Sequence, residues 1–151
     1  PHTGVTALKD FSMRAAPGEK IAVVGRTGSG KSTTAHLLLR MYDAAAGAVR
    51  VDGRDVREWS LGALRSSMAY APQEAQLFSD TVYNNIRFGR PDATREEVLE
   101  AARLADLAKD IAALHDGYDT VIGERGVMLS GGQKQRLVLA RALIKKSPVL
   151  L

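Results

Sequence analysis

The chain has 151 residues, 45% of them hydrophobic and 25% charged, with a formal net charge of +4, which is the size and mix of one globular domain. The basic excess is thin: its longest cationic runs are pairs such as Lys145-Lys146, without the dense, aromatic-interleaved stripe of a nucleic-acid binder, so it reads as a solvated surface. The absence of cysteine excludes disulfides and thiolate metal sites and fits a reducing compartment, no apolar run approaches ~18 residues, and Pro1-His2-Thr3-Gly4 does not open a secretory signal.

In chain order, residues 5–14 alternate loosely and are expected to form a strand, closed by an Ala16-Pro17-Gly18-Glu19 turn. Ile21-Ala22-Val23-Val24 is a short, β-branched apolar run bounded by turn signals, expected to be a buried parallel strand. A Gly-rich loop follows, then residues 32–41, whose Ala35, Leu37, Leu38 and Leu39 suit a helix packed on a sheet. Residues 47–51 read as a strand entering a tight Asp52-Gly53 turn. Ser60 is placed to cap a short helix through Arg65, and residues 68–71 form a short strand stopped by Pro72. Residues 81–86 predict one or two helical turns. Thr94 with Glu97 is a capping-box pattern opening an Ala- and Leu-rich helical stretch to about Leu114. Ser130-Gly131-Gly132 opens a helix over 133–145, with Lys145 and Lys146 at its negative end and Ser147-Pro148 terminating it. Val149-Leu150-Leu151 begins another apolar run. The order is that of an α/β core with a helical insertion.

Gly25-Arg26-Thr27-Gly28-Ser29-Gly30-Lys31-Ser32 matches G-x-x-x-x-G-K-[ST] at every fixed position, between an apolar run and a helical pattern. Glycines let backbone wrap phosphate oxygens, and their N–H groups make a nest for anions. The following helix adds the positive end of its dipole. Lys31 brings a cation for the β- and γ-phosphates, and Ser32 a hydroxyl for Mg²⁺, which keeps most of its water. The expected ligand is Mg-ATP, held by Gly25, Arg26, Thr27, Gly28, Ser29, Gly30, Lys31, Ser32 and Thr33. Leu129-Ser130-Gly131-Gly132-Gln133 sets a hydroxyl and two glycines at a helix start. That is a second anion-binding device, although an ordinary N-cap turn has the same look.

A phosphate loop about a hundred residues before Leu-Ser-Gly-Gly-Gln resembles the nucleotide-binding domain of an ATP-binding-cassette (ABC) transporter. Gln73 after Tyr70-Ala71-Pro72 resembles the family's Q-loop glutamine, and Lys134-Gln135-Arg136 continues the signature helix. Thr81-Val82-Tyr83-Asn84-Asn85-Ile86-Arg87-Phe88-Gly89 and Thr120-Val121-Ile122-Gly123-Glu124-Arg125-Gly126 are similar to segments of its exporter branch. The resemblance spans essentially the whole chain. It implies an α/β P-loop NTPase core with a parallel sheet, a small antiparallel β region and a helical subdomain, truncated at both ends. The core would comprise about 1–73 and 134–151, and the helical subdomain about 74–133.

The resemblance implies further that two such domains stack head to tail around two ATP molecules. Leu129, Ser130, Gly131, Gly132 and Gln133 would then face the ATP of the partner chain. Gln73 and Ser32 would serve Mg²⁺, Gln73 also the attacking water and the membrane domain. The segment around Glu124 and Arg125 would touch the ends of transmembrane helices. The implied partners are a transmembrane domain, upstream in the same polypeptide, and a second nucleotide-binding domain, with no nucleic acid. The implied place is the cytoplasmic face of a membrane, such as the bacterial inner membrane.

The family's Walker B strand ends in Asp followed by Glu. Val149-Leu150-Leu151 looks like its beginning, and no catalytic carboxylate lies in this chain, nor does the switch histidine. His2, His36 and His115 do not match that position, and Tyr42, Tyr70, Tyr83 and Tyr118 come too late to stack on adenine. The expectation is ATP hydrolysis powering export in the complete protein, and poor turnover by these 151 residues alone. The alternatives are a DNA-maintenance ATPase of the same superfamily, a small P-loop kinase, or a truncated cassette that binds nucleotide without turnover. Gln133 and the exporter-like segments count against the first, and residues 129–133 against the second.

Overall fold

The computed structural model describes residues 6–124 and 126–151. They fall into two compact units, residues 1–65 and 66–151.

In the first unit, helix α1 spans Lys31–Leu38, ending earlier than the apolar pattern suggested, with Leu39 buried just beyond it. A two-residue hairpin pairs β1 (Arg50–Val51) with β2 (Arg54–Asp55). Its turn residues Asp52 and Gly53 take φ 50° and 78°, the doubly positive geometry that matches strand twist in a two-residue hairpin. The Asp55 carboxylate accepts the Arg57 N–H and pairs with its guanidinium, which holds Asp55 down at about 2. Helix α2 (Leu61–Ser66) follows Ser60, whose hydroxyl accepts the Ala63 N–H at 3.2 Å as the sequence predicted, and buries Leu64 completely.

Two expectations fail here. Residues 6–14 form no strand: they are mostly exposed, and Asp10 turns left-handed at φ 52°, which breaks an extended run. Val5 lies outside the described residues. Residues 21–24 are likewise neither strand nor buried, with Val24 88% exposed. Apolar, β-branched composition states a preference for a pleated, covered surface; a strand also needs neighbours to bond its backbone, and among the described residues none pairs with this run.

The second unit holds a parallel pair, β3 (Met68–Ala69) with β6 (Val149–Leu150), extended by the Ala71 N–H to Leu151 carbonyl bond at 2.9 Å. A second, antiparallel pair joins β4 (Asp80–Thr81) to β5 (Val121–Ile122). Around them stand α3 (Val82–Arg87), α4 (Arg95–Leu104), α5 (Ala108–Ala112) and α6 (Gly131–Leu143). The chain is thus α/β, with mixed helices and strands and a parallel pair.

Caps set these helices. Thr81 accepts from the Asn84 N–H at the start of α3, and Thr94 and Glu97 form the reciprocal capping box of α4. One apolar core binds the helices together: Ile86 of α3, Val98 of α4, Ile111 of α5, Ile122 of β5 and Leu137 of α6 are each at most 1% exposed. Full burial of such a side chain is worth about 1.5–3 kcal/mol. Gly89 sits where α3 meets α6, and a Cβ there would overlap the Arg141 carbonyl and the Ile144 side chain.

Glu97 does more than cap. Its carboxylate also binds Arg90 and the Lys146 ammonium (2.7 Å), tying the start of α4 to the chain beyond α6. Chiefly through the Arg90 bond, its pKa falls from the ordinary 4.5 to about 2. A carboxyl group with a folded pKa below its unfolded one contributes stability that is complete above the unfolded value and is lost as pH falls through the folded one. Glu97→Gln is therefore expected to flatten the acid loss of stability between pH 4.5 and about 2. Denaturant midpoints of both proteins across that window test it; parallel curves would show that Glu97 is not responsible.

Candidate nucleotide-phosphate site

Gly30 closes the phosphate loop in the left-handed region, at φ 87°, where a Cβ would lie 2.5 Å from the Ala7 carbonyl oxygen and 2.8 Å from Leu8 Cδ2. Only glycine fits both the dihedral and the space. The chain turns directly from Gly30 into α1, whose first turn carries no acidic residue and no side-chain cap. Its leading N–H groups thus meet no side-chain acceptor from the cap residue, the state of a helix start that receives anions. At Gly25 a Cβ would press on Ser29 Oγ at 2.6 Å.

The loop holds its shape through the Ser29 N–H to Arg26 carbonyl bond at 3.1 Å. Lys31 folds over it, its ammonium donating to the carbonyls of Gly25 (2.7 Å) and Arg26 (2.8 Å). Arg26, Thr27, Gly28 and Ser29 are exposed, as is Ser32 on the first turn of α1, while Thr33 is half-buried. The structure therefore brings residues 25–33 together as an exposed loop around one cation and one helix start.

The second predicted element lies wholly in the other unit. Ser130 Oγ accepts the Gln133 N–H at 3.3 Å, and Gln133 Oε1 accepts the Ser130 N–H at 2.9 Å. The ordinary N-cap is thus present. Gln133 Nε2 also donates to Asp110, whose carboxylate receives two bonds from Arg136 at 2.9 and 2.7 Å. Leu129, 8% exposed, belongs to the core and anchors the turn. Gly131 and Gly132 are exposed, and a Cβ on Gly131 would meet nothing within 4 Å, so the chain's own packing does not demand glycine there.

Gln73 is exposed after β3, and its carbonyl accepts a bond from the Gln135 side chain of α6. The Q-loop candidate and the signature helix are therefore joined directly. Glu124 is exposed beside a cavity of about 140 Å³ lined by Ala75, Leu77, Met128 and Lys134, while Arg125 lies outside the described residues.

Two residues were not singled out from sequence. Asn85, 1% exposed, accepts the Phe78 N–H (3.0 Å) and donates to the carbonyls of Phe78 and Thr81. Arg141 reaches from α6 to the Asn85 carbonyl (2.8 Å), Asn85 Oδ1 (2.9 Å) and the Gln76 carbonyl (2.9 Å). Burial pushes its guanidinium pKa down. The available signal was a charge inside the apolar run Leu137-Val138-Leu139-Ala140-Arg141-Ala142-Leu143, because a cation among core residues is paired.

The family model described as ABC transporter matches residues 8–151. The chain belongs to the ABC transporter family. Among similar curated proteins are the "ATP-dependent lipid A-core flippase" of Yersinia pestis (47% identical over 152 residues, 100% of this chain and 26% of that protein), the mitochondrial "Iron-sulfur clusters transporter atm1" of Neurospora crassa (46% over 149 residues, 99% and 21%), and "Heavy metal tolerance factor 1" of Caenorhabditis elegans (46% over 145 residues, 96% and 18%). This ABC chain spans 18% to 26% of the length of these relatives. A solved structure titled "Structure of a bacterial Atm1-family ABC exporter with ATP bound" is 47% identical, covering 83% of this chain and 22% of that one, with a TM-score of 0.79. The fold is therefore that of an ABC P-loop ATPase, a domain that binds ATP. The exporter relatives do not favour the DNA-maintenance alternative.

Proposed function

We propose that this chain is the ATP-binding part of an ABC exporter, holding Mg-ATP through residues 25–33 and, in the complete protein, coupling hydrolysis to export across a membrane. The observation that carries the reading is the loop itself: Lys31 on exposed carbonyls beside the uncapped start of α1. A nucleotide's β- and γ-phosphates are the natural ligand for one mobile cation beside free N–H donors. Binding them replaces the two neutral carbonyl acceptors of Lys31 with anionic phosphate oxygens.

Bound Mg²⁺ would supply charge neutralisation at the phosphates. The Ser32 hydroxyl, and Gln73 in the family pattern, would hold the ion. Among the described residues no group of three or more His, Cys, Asp or Glu could hold a metal.

Residues 129–133 contact the ATP of a second, head-to-tail domain; the open space around Gly131 supports this reading. Residues 74–133 form the helical subdomain, and 1–73 with 134–151 the core. The exposed Met128 (71%) beside Glu124 supports a contact with a transmembrane domain of the same polypeptide at the cytoplasmic face. No helix among the described residues is long and apolar enough to cross a membrane.

Calorimetric titration of Mg-ATP tests the reading. One saturable site is expected for the chain and for a longer one carrying its natural flanks. No binding by either overturns it.

A further inference from the structure

The Arg141 guanidinium is the centre of a bracket. Its three donor bonds end on the Asn85 carbonyl, Asn85 Oδ1 and the Gln76 carbonyl. Its Cζ lies 5.0 Å from the Phe78 ring centroid and 5.8 Å from that of Phe88, and those centroids are 4.4 Å apart. Asn85 in turn fixes residues 78–81 through both its carbonyl oxygen and its amide. One side chain of α6 thus grips the segment that leads away from Gln73. At the other end of the segment Gln135, also of α6, bonds the Gln73 carbonyl. The segment has little else to define it: residues 70–79 contain no helix or strand. A planar guanidinium can aim donors along a rigid in-plane fork while its flat face lies against aromatic rings, which an ammonium cannot do.

We propose that Arg141, acting with Asn85, is a positioning residue that locks the Gln73 segment to the signature helix, so that Gln73 and Ser130 move as one body during ATP turnover. This rests on the ATPase reading above for its consequence, but not for its geometry. A shift of α6 driven at its Ser130 end then carries Gln73 with it. Loosening the bracket leaves the phosphate loop's own contacts intact, since Gln76 and Asn85 lie outside that loop, and degrades the alignment at Gln73. Misplacement of a catalytic neighbour by ~1 Å costs up to about a hundredfold in rate.

The test compares wild type with Arg141→Lys in the full-length transporter in lipid nanodiscs, by two readouts. Hydrogen exchange without nucleotide is expected to rise across residues 76–81 in the variant, while α6 amides stay protected. ATPase kinetics are expected to show kcat down roughly tenfold with the ATP KM within about twofold. Lysine keeps the charge, so a merely electrostatic or space-filling role predicts full activity. A folded Arg141→Lys with unchanged exchange at 76–81, or with unchanged kcat, overturns the proposal. Should Arg141→Lys not fold, Phe78→Leu decides by the same readouts. It removes the ring beneath the guanidinium at a position 43% exposed, and unchanged exchange and kcat there overturn the proposal equally. A wild type that does not hydrolyse ATP at all instead refutes the ATPase reading, and the exchange result still judges the bracket.

Discussion

Lys31→Ala is expected to weaken Mg-ATP binding by about tenfold to a hundredfold, with little change in the stability of the free chain. The two halves of this expectation have different causes. A hydrogen bond to a charged group is worth about 1.5–3 kcal/mol, and each 1.4 kcal/mol is a factor of ten in affinity. The free chain uses the same ammonium less effectively. Its bonds to the Gly25 and Arg26 carbonyls are exposed, where water competes for both partners, and exposed substitutions of this kind usually stay within about 0.5 kcal/mol. Titration calorimetry and denaturant unfolding on the same two proteins separate the effects. Equal affinity would mean that the loop does not hold the phosphates. Weak binding together with a large stability loss would mean that Lys31 maintains the loop and is not itself the phosphate cation.

What the residues make legible divides by range. Features set by neighbours were legible. The Asp52-Gly53 turn, the Ser60 cap, the Thr94–Glu97 box and the Ser130 start of α6 all stand where the residues placed them. Each is decided within three or four residues, by one side chain and the N–H it can reach. The glycines of residues 25–30 answer in part to local dihedrals, Gly28 and Gly30 taking φ 83° and 87°, although Ala7 and Leu8, which crowd Gly30, are distant in sequence.

What failed depends on partners elsewhere. Residues 21–24 carry the composition of a buried strand, yet nothing in composition states which strand will bond them, and they stand exposed. Asn85 and Arg141 went unremarked because their bond spans 56 positions. A buried Asn next to Ile86 and an Arg between Ala140 and Ala142 look alike in sequence whether they are surface polarity or a paired core group. Gln73 was identified through resemblance alone. The structure adds that its carbonyl is held by Gln135 of α6, which no local pattern announces.

The folding of the second unit is expected to hinge on α6, and Leu137→Ala should cost about 2–5 kcal/mol. Leu137 is fully buried, in one cluster with Ile86, Val98 and Ile122. Removing its isobutyl end leaves a cavity walled by helices α3 and α4 and strand β5, whose positions are pinned by caps and by Arg141, so collapse around the gap is limited. Domain stabilities lie near 5–15 kcal/mol, so one such loss is a large share of the total. Leu104→Ala is the control: its side chain is 57% exposed at the end of α4, and the change is expected to stay within about 0.5 kcal/mol. The urea midpoint should fall for Leu137→Ala at an unchanged slope, as befits a loss of packing without a change in the surface exposed on unfolding. A loss below about 1 kcal/mol would show that α6 is not enclosed as described. The signature turn at Ser130 would then lack the rigid base that its proposed contact with a second nucleotide requires.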